Sequence, residues 1–348
     1  MPVKPGYVRK PDFRRGAVEM IHGSGGRATA DLIHALFAAH FSNEWLDQGH
    51  DGAVMPPILH AVAVSCDAHV VKPLFFPGGD IGRLAICGTV NDVAMCGAKP
   101  LYIAASFILE EGFPFADLER IVASMAEAAK EAGVAIVTGD TKVVERGKGD
   151  GVYISTAGVG EKLVEQAISG KAARPGDKIL VSGNMGEHGM TIMSLRENMT
   201  FGTNLKSDCA PLADMVESIL KAAPNAHVLR DPTRGGLATT LNEIATESGV
   251  GMNLEEASVP VSDEVRAACE FLGLDPLYVA NEGKLIAIVP PEEAESALSA
   301  MRAHPRGANA AQIGTVTAEH PGFVEMTTLM GGVRTVDWLT GEQLPRIC

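Results

Sequence analysis

The sequence predicts an α/β (α+β) protein of two domains, and three observations predict it. Short apolar stretches with strand-like composition alternate with stretches whose apolar residues recur at helical spacing. A Pro-Gly turn leads into a fresh apolar strand in ARPGDKILVSG at 173–183, which divides the chain near its middle. The 348 residues suffice for two ordinary domains with cores of their own.

Taken in order, residues 30–41 (ADLIHALFAAHF) carry the first helical pattern, so the Gly-rich segment before them runs into a helix N-terminus near Thr29. Strand-like stretches follow: LHAVAVSCD ending near Asp67, LYIAASFIL at 101–109, GVAIVTGD ending at Asp140, and GVYISTAGVG at 151–160. Helices are expected between them, near 80–96 and 115–131. Beyond the boundary, the pattern gives helices at 186–197, 211–222, 235–247, 262–272 and 291–303, with strands near 284–289, 312–317 and 323–328. The divisions are an arm with a Gly-rich loop and helix (1–45), a first domain (46–165), a second α/β domain (172–338) and a tail (339–348). Pro345 and Gly341 make that tail extended, with Cys348 at its tip.

Composition narrows the function. A formal charge of −14 argues against a nucleic-acid or anionic-membrane surface. The one basic stretch, Lys4, Arg9, Lys10, Arg14 and Arg15 among prolines, reads as a solvated tail or a dock for an acidic partner. No run approaches the ~20 apolar residues of a membrane span and the start lacks a signal peptide's apolar core, so a cytoplasmic protein is expected. The cysteines form no CxxC pair, which suits neither a disulfide framework nor a zinc site.

Six constellations can carry chemistry. His22-Gly23-Ser24-Gly25-Gly26 precedes a helix and reads as a phosphate clamp or a flexible turn. Asp67, Asp80, Asp92 and Asp140 stand at strand or turn ends; as a group they can hold a hard cation such as Mg²⁺, and singly each serves as a cap. Asn91-Asp92 lies in an apolar segment, where burial demands partners. Asp140-Thr141-Lys142 sets a cation beside a carboxylate, either for a phosphate or as a surface ion pair. In Arg230-Asp231-Pro232-Thr233-Arg234-Gly235-Gly236, Asp231 and Pro232 suit helix initiation, the paired glycines do not, and Arg234 offers an anion contact. Glu282, in Asn281-Glu282-Gly283-Lys284, is a candidate base or a turn residue. Last, a thiol at the tip of PRIC can swing as a carrier, with Arg346 favouring its thiolate.

SCDAHVV, GTVNDVAMCGAKPLYIAASF, VTGDTKVV and RDPTRGGLA, in this order over nearly the whole chain, resemble the ATP-dependent superfamily that includes aminoimidazole ribonucleotide synthetase, selenophosphate synthetase and thiamine-monophosphate kinase. Within it, the HGSGG start and PRIC ending are similar to the maturation factors that make the cyanide ligands of nickel–iron hydrogenases. The resemblance implies a homodimer joined through the N-terminal sheets. Asp67, Asp92 and Asp140 would hold Mg²⁺ and ATP, Asn91 and Thr141 would line the site, and the His22–Gly26 loop would close over the phosphates. It also implies that Cys348, loaded by a carbamoyltransferase, carries a carbamoyl group that ATP converts to a thiocyanate. Lys142 and Glu282 would polarise that group and move its proton, and an iron-bearing maturation scaffold would accept the cyanide. Two rival readings are an ATP-dependent synthetase or kinase acting on a free small molecule, and an iron-delivery protein using Cys348.

Overall fold

The computed structural model describes residues 11–48, 52–197, 205–340 and 346–347. It has two sheet-based halves, as the alternating pattern predicts. In the first, β1 (Val62–His69), β4 (Ala98–Glu110), β5 (Ala135–Val144) and β6 (Val152–Lys162) form a sheet of order β1-β6-β4-β5, antiparallel except for the parallel β4–β5 pair. A short hairpin, β2 (Phe75–Phe76) with β3 (Gly79–Asp80), leads into α3 (Ile81–Met95), after the helical run α1 (Arg27–Leu32), a π-helical stretch (Ile33–Ala38) and α2 (Ala39–Phe41).

One face of this sheet is covered by α3 and α4 (Phe115–Ala132). Helix α4 is amphipathic and buries Phe115, Leu118, Ile121, Val122 and Met125, at the spacing that keeps one stripe on the core. Helix α3 is different. Almost every residue of it is buried, because it runs between the first sheet and the second half of the molecule. Asp80 caps it, its Oδ1 accepting from the N–H groups of Gly82 (2.7 Å) and Arg83 (3.0 Å), so of its two readings the cap is the one observed. The opposite face of the sheet has no helix among the described residues; Val62, Val64 and Ile108 stand exposed there.

The second half holds a seven-stranded sheet of order β13-β12-β9-β11-β7-β10-β8. Its strands are β7 (Lys178–Val181), β8 (Val228–Arg230), β9 (Gly251–Glu255), β10 (Ile286–Val289), β11 (Ala311–Thr317), β12 (Val324–Thr327) and β13 (Val333–Thr335). Five helices accompany it: α5 (Glu187–Arg196), α6 (Ala213–Ala222), α7 (Gly236–Ser248), α8 (Asp263–Leu272) and α9 (Ala294–Ala303). All five lie where helical periodicity sets them. Strands β8, β9 and β13 and the β2–β3 hairpin were not expected.

Two differences bear on the site. Strand β5 runs on through Val144, so Asp140, Thr141 and Lys142 lie within a strand and not beyond its end. The paired glycines before α7 have a steric cause. Gly236 sits at φ +62, and a Cβ there would stand 2.5 Å from the Leu277 carbonyl oxygen and 2.7 Å from that of Val279. Only glycine lets the start of α7 press against that segment.

Candidate active site

The seam between the two halves is organised by α3. Asn91 is buried, and its side-chain amide donates to the carbonyls of Ala210 (3.1 Å) and Glu282 (3.3 Å) while its Oδ1 accepts from the Leu212 N–H at 2.8 Å. All its bonding capacity toward the second half is spent on backbone. Asn91 therefore ties the halves together. Asn281 braces the second half internally, taking the Gly186 N–H at 2.7 Å and donating to the Pro232 carbonyl at 2.9 Å.

Beside this strut lies a group of acids. Asp92 accepts from Ser65 Oγ at 2.7 Å, and burial holds its carboxyl above the ordinary range. Asp231, which the sequence suggested only as a helix starter, is pushed up to about 7 by burial and then by the charge of Asp92. Glu282 is 5% exposed, its Oε1 has no hydrogen-bond partner, and burial together with Asp208, Asp231 and Asp67 drives its pKa well up. Burial and the surrounding carboxylates thus favour the protonated form of Glu282. Its backbone N–H donates to Asp208 at 3.1 Å. Lys284 approaches Glu187 (3.1 Å) and Asp208 (3.3 Å); burial pulls its pKa down, but the two carboxylates win and raise it.

Asp140 is not part of this group within one chain. Asp67 on β1 faces Thr156 on β6, and Thr156 faces Ala105 on β4, whose register partner on β5 is Gly139. Two strands separate the acids, roughly 14 Å at ordinary strand spacing. They also point oppositely. Asp67 shares its face with the buried Thr156, whereas Asp140 pairs in register with Ser106 on the exposed face. There Lys142 Nζ grips Asp140 at 2.7 and 2.9 Å, and that hydrogen bond lowers the Asp140 pKa. Thr141 donates its N–H to Asp140 at 2.8 Å. Lys142 and Glu282 consequently belong to different places in the chain.

The Gly-rich loop lies with β5: a Cβ on Gly23 would meet Val143 at 2.7 Å. Its donors are engaged locally, Ser24 Oγ with the Ile21 carbonyl at 3.0 Å and the Gly25 N–H with Thr29 Oγ1 at 3.0 Å. His22 is buried, accepts from the Glu19 N–H at 2.9 Å and stacks edge-on against Phe115. Packing explains it. Gly26 precedes α1, and Arg234 is exposed in the turn entering α7.

Cys348, with Lys4, Arg9 and Lys10, lies outside the described residues. The two residues before Cys348 are placed. Ile347 is 2% exposed and belongs to the same buried apolar cluster as Phe76, Ile192, Cys209 and Ala280. Its carbonyl accepts from His188 Nε2 at 2.7 Å. The Arg346 carbonyl accepts from Arg196 and from the Lys72 N–H at 3.3 Å, and the Arg346 guanidinium pairs with Asp150. His188, Ser207 and Asp208 carry no motif, so nothing in the sequence pointed to them.

Among the described residues no three His, Cys, Asp or Glu side chains form a closed metal-binding group. The carboxylates of Asp67 and Asp92, with Ser65 Oγ beside Asp92, fit a hard cation completed by phosphate and water, the manner in which Mg²⁺ is held beside nucleotides.

A two-half fold with an acid-lined seam and a sheet face left bare defines a class, and comparison agrees: the chain matches the AIR synthase related N-terminal domain over residues 49–162 and the C-terminal domain over 174–326. It is 62% identical over 347 residues, 99% of both chains, to the carbamoyl dehydratase HypE of Cupriavidus necator. A crystal structure of the hydrogenase maturation protein HypE in complex with ATP superposes with a TM-score of 0.92 at 54% identity, covering 95% of this chain and 99% of that one. The HypE chain of a HypE–HypF complex superposes with a TM-score of 0.78 at 49% identity, covering 88% and 99%. The chain belongs to the HypE family of the AIR synthase-like superfamily.

Proposed function

We propose that this chain is an ATP-dependent carbamoyl dehydratase acting on its own terminus, converting a carbamoyl group on Cys348 to a thiocyanate that supplies cyanide for the iron of a nickel–iron hydrogenase. The observation that carries this reading is the seat of Ile347. The residue adjoining the carrier thiol is buried against His188, whose ring also bonds Ser207, and the carboxylate of the next residue, Asp208, holds the backbone of Glu282. Family membership and the ATP complex of a HypE relative support the same reading.

The carbamoyl oxygen attacks the γ-phosphate of ATP and ADP leaves. Loss of the nitrogen's protons then expels phosphate with that oxygen and leaves S–C≡N. Glu282 would exchange a proton with the carbamoyl group, and Lys142 would meet negative charge on the phosphates. Asp67 and Asp92 would hold Mg²⁺, which when bound supplies charge neutralisation to the triphosphate.

Because Asp140, Thr141, Lys142 and the His22–Gly26 loop stand at the far edge of the sheet, we infer that they serve the site of a second copy. The bare face carrying Val62, Val64 and Ile108 supports a homodimer joined there. A carbamoyltransferase would load Cys348, an iron-bearing scaffold would accept the cyanide, and the cytoplasm is the compartment that suits this traffic. The complex formed by a HypE relative with HypF supports a partner of this kind.

Intact mass spectrometry tests the proposal. Incubation with the carbamoyltransferase and carbamoyl phosphate should add one carbamoyl group to Cys348, and Mg-ATP should then remove one water. An adduct elsewhere, or water loss without ATP, would overturn it. The free-substrate reading differs in that ATP turnover would survive Cys348→Ala.

A further inference from the structure

His188 is a fully enclosed histidine on α5 that the reaction chemistry does not use. Its ring sits between Phe76, edge-on at 5.5 Å, and the segment carrying Ser207. Its proton arrangement follows from its neighbours. The Ile347 carbonyl can only accept, so the 2.7 Å contact puts the ring proton on Nε2. Nδ1 must then accept the Ser207 hydroxyl proton at 2.8 Å, while Ser207 Oγ itself accepts from the Cys209 N–H at 3.1 Å. Every proton in this relay has one consistent place.

The segment beneath it is also fixed. The Ser207 N–H donates to the Pro77 carbonyl at 2.8 Å, and at Gly78, with φ +94, a Cβ would stand 2.5 Å from the Ser207 carbonyl oxygen. The β2–β3 turn can approach this closely only with glycine there. Ser207 is therefore a rigid second partner that orients the ring. Burial depresses the His188 pKa against the opposing pull of Asp208, with Arg196 adding to the depression, so the ring stays neutral and keeps its single donor for the tail.

We propose that His188 is the positioning residue that latches the C-terminal tail into the site, reading the backbone of residue 347 and so seating Cys348 whatever group the thiol carries. This rests on the carrier function proposed above. The recognition elements are the Ile347 side chain in its apolar seat and two successive carbonyls, those of Arg346 and Ile347. None of them involves the cargo, so the latch holds thiol, carbamoyl and thiocyanate forms alike and leaves discrimination to the acids of the seam.

The test compares His188→Phe, which keeps a ring and loses the donor, with His188→Gln, whose amide N–H reaches the position of Nε2. All are made in the full chain and checked for folding by thermal melting. Two rates are read: alkylation of Cys348 by N-ethylmaleimide in the unloaded protein, and ATP-dependent water loss from the carbamoylated protein in a single turnover. His188→Phe should speed alkylation several-fold and slow water loss about tenfold, the worth of one neutral hydrogen bond. His188→Gln should restore both to within about threefold. Ser207→Ala, which leaves the ring and frees its orientation, should fall between them. Wild-type rates in His188→Phe, or a His188→Gln protein as impaired as His188→Phe, would overturn the latch. Should the unsubstituted protein lose no water with ATP, the carrier function fails, while the alkylation rates still decide the latch.

Discussion

Two acidic regions of this molecule carry the same functional group in opposite states. At the seam, Asp92, Asp231 and Glu282 crowd one another in a buried setting, and all three are held above their ordinary pKa by burial. At the β5 edge Asp140 is exposed, clasped by Lys142, and held below its ordinary pKa by that hydrogen bond. The seam holds carboxyls that resist ionising until a cation joins them, and the edge pair has already neutralised itself. A like-charge cluster of this kind costs folding energy and persists where function requires it. An exposed ion pair costs and contributes little.

The sharpest way to separate the regions is Glu282→Gln. Single-turnover water loss should fall at least about 100-fold, the scale of a lost general acid–base group. A fall of under about threefold would move the proton chemistry away from the seam. Next in size, Val64→Glu on the bare sheet face should convert a dimer to a monomer by size exclusion with light scattering, and water loss should drop with it. A fully active monomer would show that the β5 edge and the seam never meet.

Smaller effects compare the same Asp→Asn change in both places. The folded Asp231 carboxyl titrates at about 7, so the native state keeps a proton that the unfolded chain releases from about pH 4 upward. Stability therefore falls as pH rises from about 4 to 7, and the penalty is complete above it. Asp231→Asn removes the penalty, raising unfolding free energy by on the order of 1–3 kcal/mol at pH 8 and by nearly nothing at pH 4. Asp140 has the opposite sign. Its pKa is lowered, so its contribution is present above the ordinary carboxylate range and is lost as pH falls through its folded pKa. Asp140→Asn should cost no more than about 0.5 kcal/mol at pH 7, read by urea unfolding. A larger loss there would mean the edge is not the neutral, exposed region described.

How much of this was legible in the sequence follows from the range of the forces. Helix α4 and the long strands β4 and β6 declare themselves because burial imposes a period on many residues at once. Strand β8, Val228–Arg230, does not, since three residues hold no period and it gains its place from pairing with β10. Asp67, Asp92 and Glu282 were visible as acids in motifs. That Asn91 spends its amide on Ala210 and Glu282 was not, because those partners lie 119 and 191 residues away. Asp231 was visible as a residue but not as a titrating group; its shift comes from burial first and then from the charge of Asp92, and only folding supplies either. His188 is the extreme case, a single histidine within a helix, given meaning by a residue 159 positions downstream.

That last contact changes how the reaction is counted. Under the carrier function proposed above, a substrate that is part of the catalyst's own chain has no concentration to titrate, and its encounter with the site is set by a tether and one seated residue. Conversion should run at a fixed rate per molecule on dilution, for as long as the assembly holds. Throughput then belongs to loading and unloading, and each copy can hold one cargo and no more. On that proposal, the seat of Ile347 makes this chain a vessel with a capacity as much as a catalyst with a turnover.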